Sequence, residues 1–435
     1  MKSRQLATYD VLVLVSGIWF LGKFVRYAFP PLFETIQSTY AVSNTVVGAA
    51  FTGFMLVYAT MQFPSGVVAD RLGSVRVVVA GAAIAALGAF ALVVPSPFFV
   101  LVAAMLVIGF GTGFHKTVAV RLIARVYPAR TGRALGAHDT FGAFGGVVAP
   151  TVVVVVLSAP PALGWLTGWL PESEWRVVFL LTGLALSALA AVFALRFRGR
   201  FTAETAPESD ADSDDSDDEV AVDKTNGSGD NARPVPRLRE YAVLFGVRRF
   251  SAFVLVTVGV SFAHGGAVAF LPLYLSETFG LTTAAAGVLY SLFFWATFVQ
   301  LVTGELSDRI GRLPVIAATA ALGAVSLWGL VAFSGLPTVA LGGLIFALGV
   351  GAHGFQPVRG AYLMELLPDR LSGGGLGVVR TLLMGAGALA PFTVGVVADI
   401  STFRVAFGLL AAAMAFGAVG AVGLWLTDRP SATPN

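Results

Sequence analysis

The stretch Gly66-Val67-Val68-Ala69-Asp70-Arg71-Leu72-Gly73-Ser74-Val75-Arg76 returns later in the chain as Gly304-Glu305-Leu306-Ser307-Asp308-Arg309-Ile310-Gly311-Arg312. Gly66 and Gly304, Asp70 and Asp308, Arg71 and Arg309, and Gly73 and Gly311 all lie 238 residues apart. Each copy is a short polar break between two long apolar runs. A repeat of that length among apolar runs means two copies of one helical bundle in a membrane.

Composition agrees. The chain has 435 residues, of which 56% are hydrophobic and only 12% charged. That balance excludes a soluble globule. Runs of roughly 20 apolar residues are long enough to cross the hydrocarbon core. Cysteine is absent, which excludes disulfides and thiolate metal sites. The four histidines (His115, His138, His264 and His353) are scattered without zinc spacing. No phosphate-binding Gly-x-x-x-x-Gly-Lys-Ser/Thr loop and no nucleophile–base set is present, which argues against ATP-driven transport and against an enzyme. No cofactor and no nucleic-acid partner is expected.

Twelve spans are predicted: 8–30, 43–66, 75–95, 98–122, 133–157, 175–196, 250–273, 283–305, 313–334, 337–360, 372–397 and 402–426. Pro30-Pro31, Pro95-Ser96-Pro97 and Pro368-Asp369-Arg370 are among the breaks. The start, Met1-Lys2-Ser3-Arg4 and an apolar run, has the look of a signal peptide. Lys23 and Arg26 interrupt that run and many spans follow, so it is expected to stay as span 1.

An even number of spans puts both termini on one side. Lys2, Arg4, Arg71, Arg76, Arg125, Arg130, Arg133, Arg196, Arg198, Arg200, Arg309, Arg312, Arg370 and Arg429 all fall on that side, so it is expected to be cytoplasmic. The opposite loops offer Arg176 and Arg404, which sit in matching motifs, Trp175-Arg176-Val177-Val178-Phe179 and Phe403-Arg404-Val405-Ala406-Phe407. Residues 201–240 contain the run Asp210–Glu219 and are too polar and too acidic to bury a core. They read as a disordered cytoplasmic linker between a bundle at 1–200 and a bundle at 241–435.

The repeat extends into the spans. Gly111-Thr112-Gly113 matches Gly349-Val350-Gly351, His115 matches His353, Arg121 matches Arg359, and Gln62 matches Gln300. Gly136, Asp139 and Pro150 match Gly377, Arg380 and Pro391. Lys23 falls opposite His264 when Pro31 is set on Pro272. Equal depths in the two halves therefore carry polar groups of different type, as a site at a repeat interface would.

The two copies resemble the loop signature of the major facilitator superfamily, Gly-x-x-x-Asp-Arg-x-Gly followed by basic residues, between the second and third spans of each half. Ser74 stands where the first copy would have a basic residue. The resemblance covers nearly the whole chain. It implies an all-α integral membrane fold of twelve helices in two pseudo-symmetric six-helix bundles. It also implies a cavity lined by spans 1, 4, 7 and 10, and transport by alternating access. In that family the loops latch the cytoplasmic ends of the halves in the outward-open state. Gly66, Asp70, Arg71, Gly73 and Arg76, with Gly304, Asp308, Arg309, Gly311 and Arg312, are the gating residues this implies. Gly66 and Gly304 would allow close helix approach, and the two aspartates would face helix N-termini. The basic residues could instead serve only to fix topology.

An ionisable group at the bilayer centre costs about 2.5 kcal/mol or more, so each one needs a reason. Trp19, Lys23 and Arg26 share one face of span 1. His115 and Lys116 lie in span 4, His264 in span 7, and His353 and Gln356 in span 10. These eight are the candidate substrate contacts. Asp139 and Arg380 are candidates for ion coupling or for an ion pair, with Lys116 or Arg121 as the partner of Asp139. The alternative for Arg26 is a pair with Glu34 or a snorkelling side chain. The excess of cations predicts an anionic solute, because a guanidinium forks onto an oxygen pair. The expected function is secondary transport of a small organic or inorganic anion across the plasma membrane by a monomer, with a proton as the coupling ion. Efflux of hydrophobic drugs and a non-transporting sensor are the alternatives.

Overall fold

A computed structural model describes residues 2–158, 175–197, 243–368 and 372–427. The segment 201–240, and with it Arg198, Arg200, Arg370 and Arg429, lies outside them. The described residues are helical, with no strand among them. Twelve helices are long and apolar enough to span a membrane. In chain order they are span 1, Asp10–Tyr40; span 2, Asn44–Leu72; span 3, Ser74–Ala91; span 4, Phe98–Val126; span 5, Pro128–Leu157; and span 6, Arg176–Phe197. The second half follows with span 7, Arg248–Phe279; span 8, Thr283–Ile310; span 9, Arg312–Ala332; span 10, Thr338–Leu366; span 11, Gly377–Ile400; and span 12, Phe403–Thr427.

Several boundaries differ from the sequence reading. Pro30-Pro31 does not end span 1. A 3-10 turn at Pro30–Leu32 carries the helix on into Phe33–Tyr40. Proline is tolerated there because the first residues of a new helical turn need no N–H donor. The polar signatures are not loops either. They form the last turns of spans 2 and 8, and the break is a single glycine, Gly73 at φ 88° and Gly311 at φ 95°. Left-handed backbone of that kind explains why glycine closes both signatures.

Packing repeats with the sequence. Span 1 packs on spans 5 and 6, as span 7 does on 11 and 12. Span 3 packs on 4 and 6, as span 9 does on 10 and 12. The halves meet where span 2 packs on span 11 and span 5 on span 8. Exchanging the halves turns the first contact into the second, which is the signature of a two-fold pseudo-symmetric pair.

Arg176 and Arg404 are helix caps. The Arg176 guanidinium donates to the carbonyls of Leu92 (2.8 Å) and Val94 (3.0 Å) at the end of span 3. Arg404 donates to Val331 O (3.1 Å) at the end of span 9. Terminal carbonyls lack intrahelical donors and carry partial negative charge, and a guanidinium answers both. These two basic residues therefore have structural reasons to sit opposite the others.

The halves are sealed at the end away from the termini. A Cβ on Gly48 would overlap the Pro391 carbonyl, and one on Gly395 would overlap Asn44 O, so spans 2 and 11 touch through backbone. Phe33 meets Phe270 across the same end (5.3 Å). The Asp399 carboxylate accepts the N–H groups of Asn44 (3.2 Å) and Thr45 (2.8 Å) in the opposite half. Ser43, the N-cap of that helix, makes no side-chain cap of its own. Glu34 accepts the Thr283 hydroxyl (2.9 Å) in the reverse direction across the halves.

The terminus-bearing end is apart. Gly132, Gly136, Gly360 and Gly377 have nothing within 4 Å of an added Cβ. The signature residues pair inside their own halves: Asp70 with Arg121 (2.6 Å), Arg309 with Glu305, and Arg312 with Glu365 and Asp308 (3.8 Å to Asp308). Gly66 lies against Thr117 and Arg121, but Gly304 has no neighbour within 4 Å, which corrects the expectation of close approach at Gly304.

Asp399→Asn keeps the shape and removes the charge that caps span 2. It should weaken the seal by about 1 kcal/mol, since the carboxylate is solvent-accessible. Spin labels on introduced cysteines at the ends of spans 2 and 11, in this cysteine-free chain, should then show a larger separated population.

Candidate functional site

Between the halves lies a cavity of about 650 Å³. Spans 2, 5, 8 and 11 line it as well as the expected 1, 4, 7 and 10. Trp19, Lys23, Arg26, Lys116, Asp139, His264, His353, Gln356 and Arg380 all reach it. His115 does not.

Trp19 is the first fixed point. Its ring packs against both His115 (5.6 Å, 9° between planes) and His138 (6.0 Å, 16°), and the two imidazoles lie 5.6 Å from each other, so the three near-parallel rings form one cluster. His138 is held by Ser16 Oγ at 3.2 Å. Span 5 can approach because residue 142 is glycine; a Cβ there would overlap the indole. The helix of span 4 breaks at Phe114, so His115 opens a new helical segment and lies buried behind Trp19. The substrate role expected of His115 is thereby corrected to one of supporting the indole. Nothing in the sequence spacing brings His138 to the same stack.

One residue along, Lys116 faces the cavity and ion-pairs with Asp139. The Lys116 ammonium lies 5.0 Å from the centre of the Trp19 ring, and that of Lys23 lies 5.4 Å from it. Arg26 does not pair with Glu34, which is engaged at the sealed end. Its guanidinium stacks on Tyr58 at 3.6 Å, is only 6% exposed, and leaves Nε and Nη2 without a hydrogen-bond partner.

In the second half His264 and His353 meet edge to face at 5.3 Å, both against Phe293. Gln356 Nε2 lies 3.4 Å from His353 Nδ1. Arg359 also faces the cavity. Its repeat mate Arg121 was visible in the sequence, yet the two diverge in role, because Arg121 is drawn to Asp70 outside the cavity. Arg380 donates to Gln62 Oε1 (3.1 Å) across the halves.

Five cations (Lys23, Arg26, Lys116, Arg359 and Arg380) therefore face one carboxylate, Asp139. The arrangement can hold an anion inside the span of the membrane. It has no acid free to hold a cation, because Asp139 is already paired.

Gly142→Ala should push Trp19 away from its two histidines and lower stability by about 1–3 kcal/mol, the usual cost of overpacking. A lowered melting temperature together with a shifted tryptophan emission would report it.

Known proteins place the chain. The profile described as "Major Facilitator Superfamily" matches residues 15–299 and 253–435. A probable sulfoacetate transporter of Cupriavidus necator is 24% identical over 316 residues, 71% of this chain and 67% of that protein. A probable 4-methylmuconolactone transporter of Cupriavidus pinatubonensis is 27% identical over 380 residues, 84% and 76% of the two chains. The crystal structure of a D-xylose-proton symporter superposes with a TM-score of 0.71 at 17% identity, over 96% of this chain and 97% of that one. Twelve spans, a signature present in both halves and a family match running through both make this chain a member of the major facilitator superfamily, a multi-pass membrane transporter.

Proposed function

We propose that the protein is a secondary transporter of a small organic anion, working by alternating access. The observation that carries this is the charge of the cavity, five cations to one acid. Fixed cations within a membrane are costly unless a function needs them. Guanidinium and ammonium groups bind carboxylate, sulfonate or phosphate through charge-assisted hydrogen bonds. Sulfoacetate, the cargo in the name of one relative, is such an anion.

Arginines at the terminus-bearing end orient it to the cytoplasm, so the open cavity faces inward in the plasma membrane. Both termini and the 201–240 linker then lie in the cytoplasm. One chain holds both halves and the whole cavity, so a monomer suffices. Opening the other end requires the seal at Asp399 and Gly48 to part, while the signature residues close on the opposite half. Asp139 is the coupling carboxylate in this scheme: protonation would release Lys116 and change the charge of the cavity by one.

The test is thermal stabilisation of the purified protein at fixed salt, since a ligand of the folded state raises its melting temperature. Small carboxylates and sulfonates should stabilise the wild type, and Lys23→Ala or Arg26→Ala should weaken binding about tenfold or more. Stabilisation by lipophilic cations, indifferent to both substitutions, would replace this reading with drug efflux. In vesicles, Asp139→Asn should abolish stimulation of uptake by a proton gradient; unchanged stimulation would remove Asp139 from the coupling step.

A further inference from the structure

The cations of the cavity are not one cluster. Lys116 is neutralised by Asp139. The remaining four have no carboxylate partner among the described residues, and they divide evenly. Lys23 and Arg26 belong to span 1 of the first half, and Arg359 and Arg380 to spans 10 and 11 of the second. Arg26 is the most constrained. Tyr58 holds its guanidinium flat, it is 6% exposed, and its Nε–Nη2 edge is buried with nothing to bond to. That edge presents two parallel N–H groups at the spacing of two oxygens on one carbon or sulfur. On the facing side, Arg380 has only the neutral Gln62 as a partner, and Arg359 leans over Phe355 at 5.9 Å.

From this division we propose that the cargo is a small dianion with two separate anionic heads, a dicarboxylate or a sulfocarboxylate. One head forks onto Arg26 beside Lys23, and the other sits on Arg359 and Arg380. This rests on the anion reading above and narrows it. The physical reason is closure. In the open cavity Lys23, Arg359 and Arg380 stand along the walls, and Arg26 is held in the wall against Tyr58. When the halves rock together around the site, the pairs face each other in a drier space, where like charges repel strongly and unpaired charge is costly. A monoanion can compensate one pair only. A two-headed dianion compensates both and ties one half to the other, so the same molecule is substrate and closing counter-ion.

Isothermal titration calorimetry of the full chain in detergent, at fixed salt, tests this. The probes are unbranched dicarboxylates of two to six carbons and sulfoacetate, set against monocarboxylates of the same lengths and methanesulfonate. At least one dianion should bind wild type tenfold or more tightly than its matched monoanion. Arg26→Gln and Arg359→Gln should each bring the ratio of dianion to monoanion affinity down to about one. Arg26→Lys keeps the charge but not the fork, and should still lose most of the preference. Melting temperatures of the unliganded variants check that each is folded. Equal affinity for mono- and dianions at every length in the wild type overturns the two-headed cargo and leaves the anion reading standing. Binding of no anion of either charge, by folded wild type, sinks the anion reading itself.

Discussion

Uncompensated positive charge at mid-membrane is the constraint on which the rest of the structure depends. Four cations without carboxylates cannot be packed between helices in hydrocarbon. They require a space that admits water, and a space that admits water must be closed at one end if the membrane is to stay tight. The fold meets both needs at one interface. Spans 2 and 11, and spans 5 and 8, diverge around the cavity and converge beyond it. The aromatic residues around the cations follow from the same need. Tyr58 under Arg26 and Trp19 beneath Lys23 offer ring faces to charges that lack anions, and Trp19 also lies near the paired Lys116.

Closure combines close backbone contact with aromatic packing, Phe33 of one half on Phe270 of the other. Gly48 and Gly395 let spans 2 and 11 meet main chain to main chain. Asp399 then supplies from span 11 the cap that Ser43 does not supply to span 2. A carboxylate on a helix N-terminus is a directional contact, made and broken over a short distance. Glu34 and Thr283 make a second polar contact across the same end. A seal of this kind suits an interface that has to open in every cycle. The arginine caps of spans 3 and 9 are of the opposite sort. They lie within each half and keep each bundle rigid while the two move.

The sequence made much of this legible and left some of it out of sight. The 238-residue offset was enough for two bundles and twelve spans, because a duplicated polar signature survives in an otherwise apolar chain. The polar face of span 1 was legible from helical spacing alone, and Lys116 was one of the partners weighed for Asp139. Long-range stacking was not. His138 reaches Trp19 because residue 142 is a glycine, and His115 reaches it where span 4 breaks at Phe114, and neither feature shows in a periodicity. Pro30-Pro31 read as a stop, since proline ends most helices, yet a 3-10 turn absorbs it. Arg359 was seen as a repeat mate and not as a cavity residue. Its counterpart Arg121 is captured by Asp70, and the repeat carries residue type more faithfully than role.

That divergence explains the asymmetry of the site. Gln62 matches Gln300, and Asp139 matches Arg380, so exchange of the halves turns the contact between Gln62 and Arg380 into one between Gln300 and Asp139. The first is made, at 3.1 Å, across spans 2 and 11. The second is absent, although both residues line the cavity, because Asp139 takes Lys116 from its own half. An acid in the first half thus finds an internal partner and leaves the span 5–8 side without a polar tie at that depth. A cation in the second half finds only a neutral amide across the interface and keeps its charge. One substitution of sign at matched positions therefore both removes a link between the halves and leaves the cavity positive. The duplicated bundle supplies the two walls of the cavity, and the places where its copies differ set the cavity's charge.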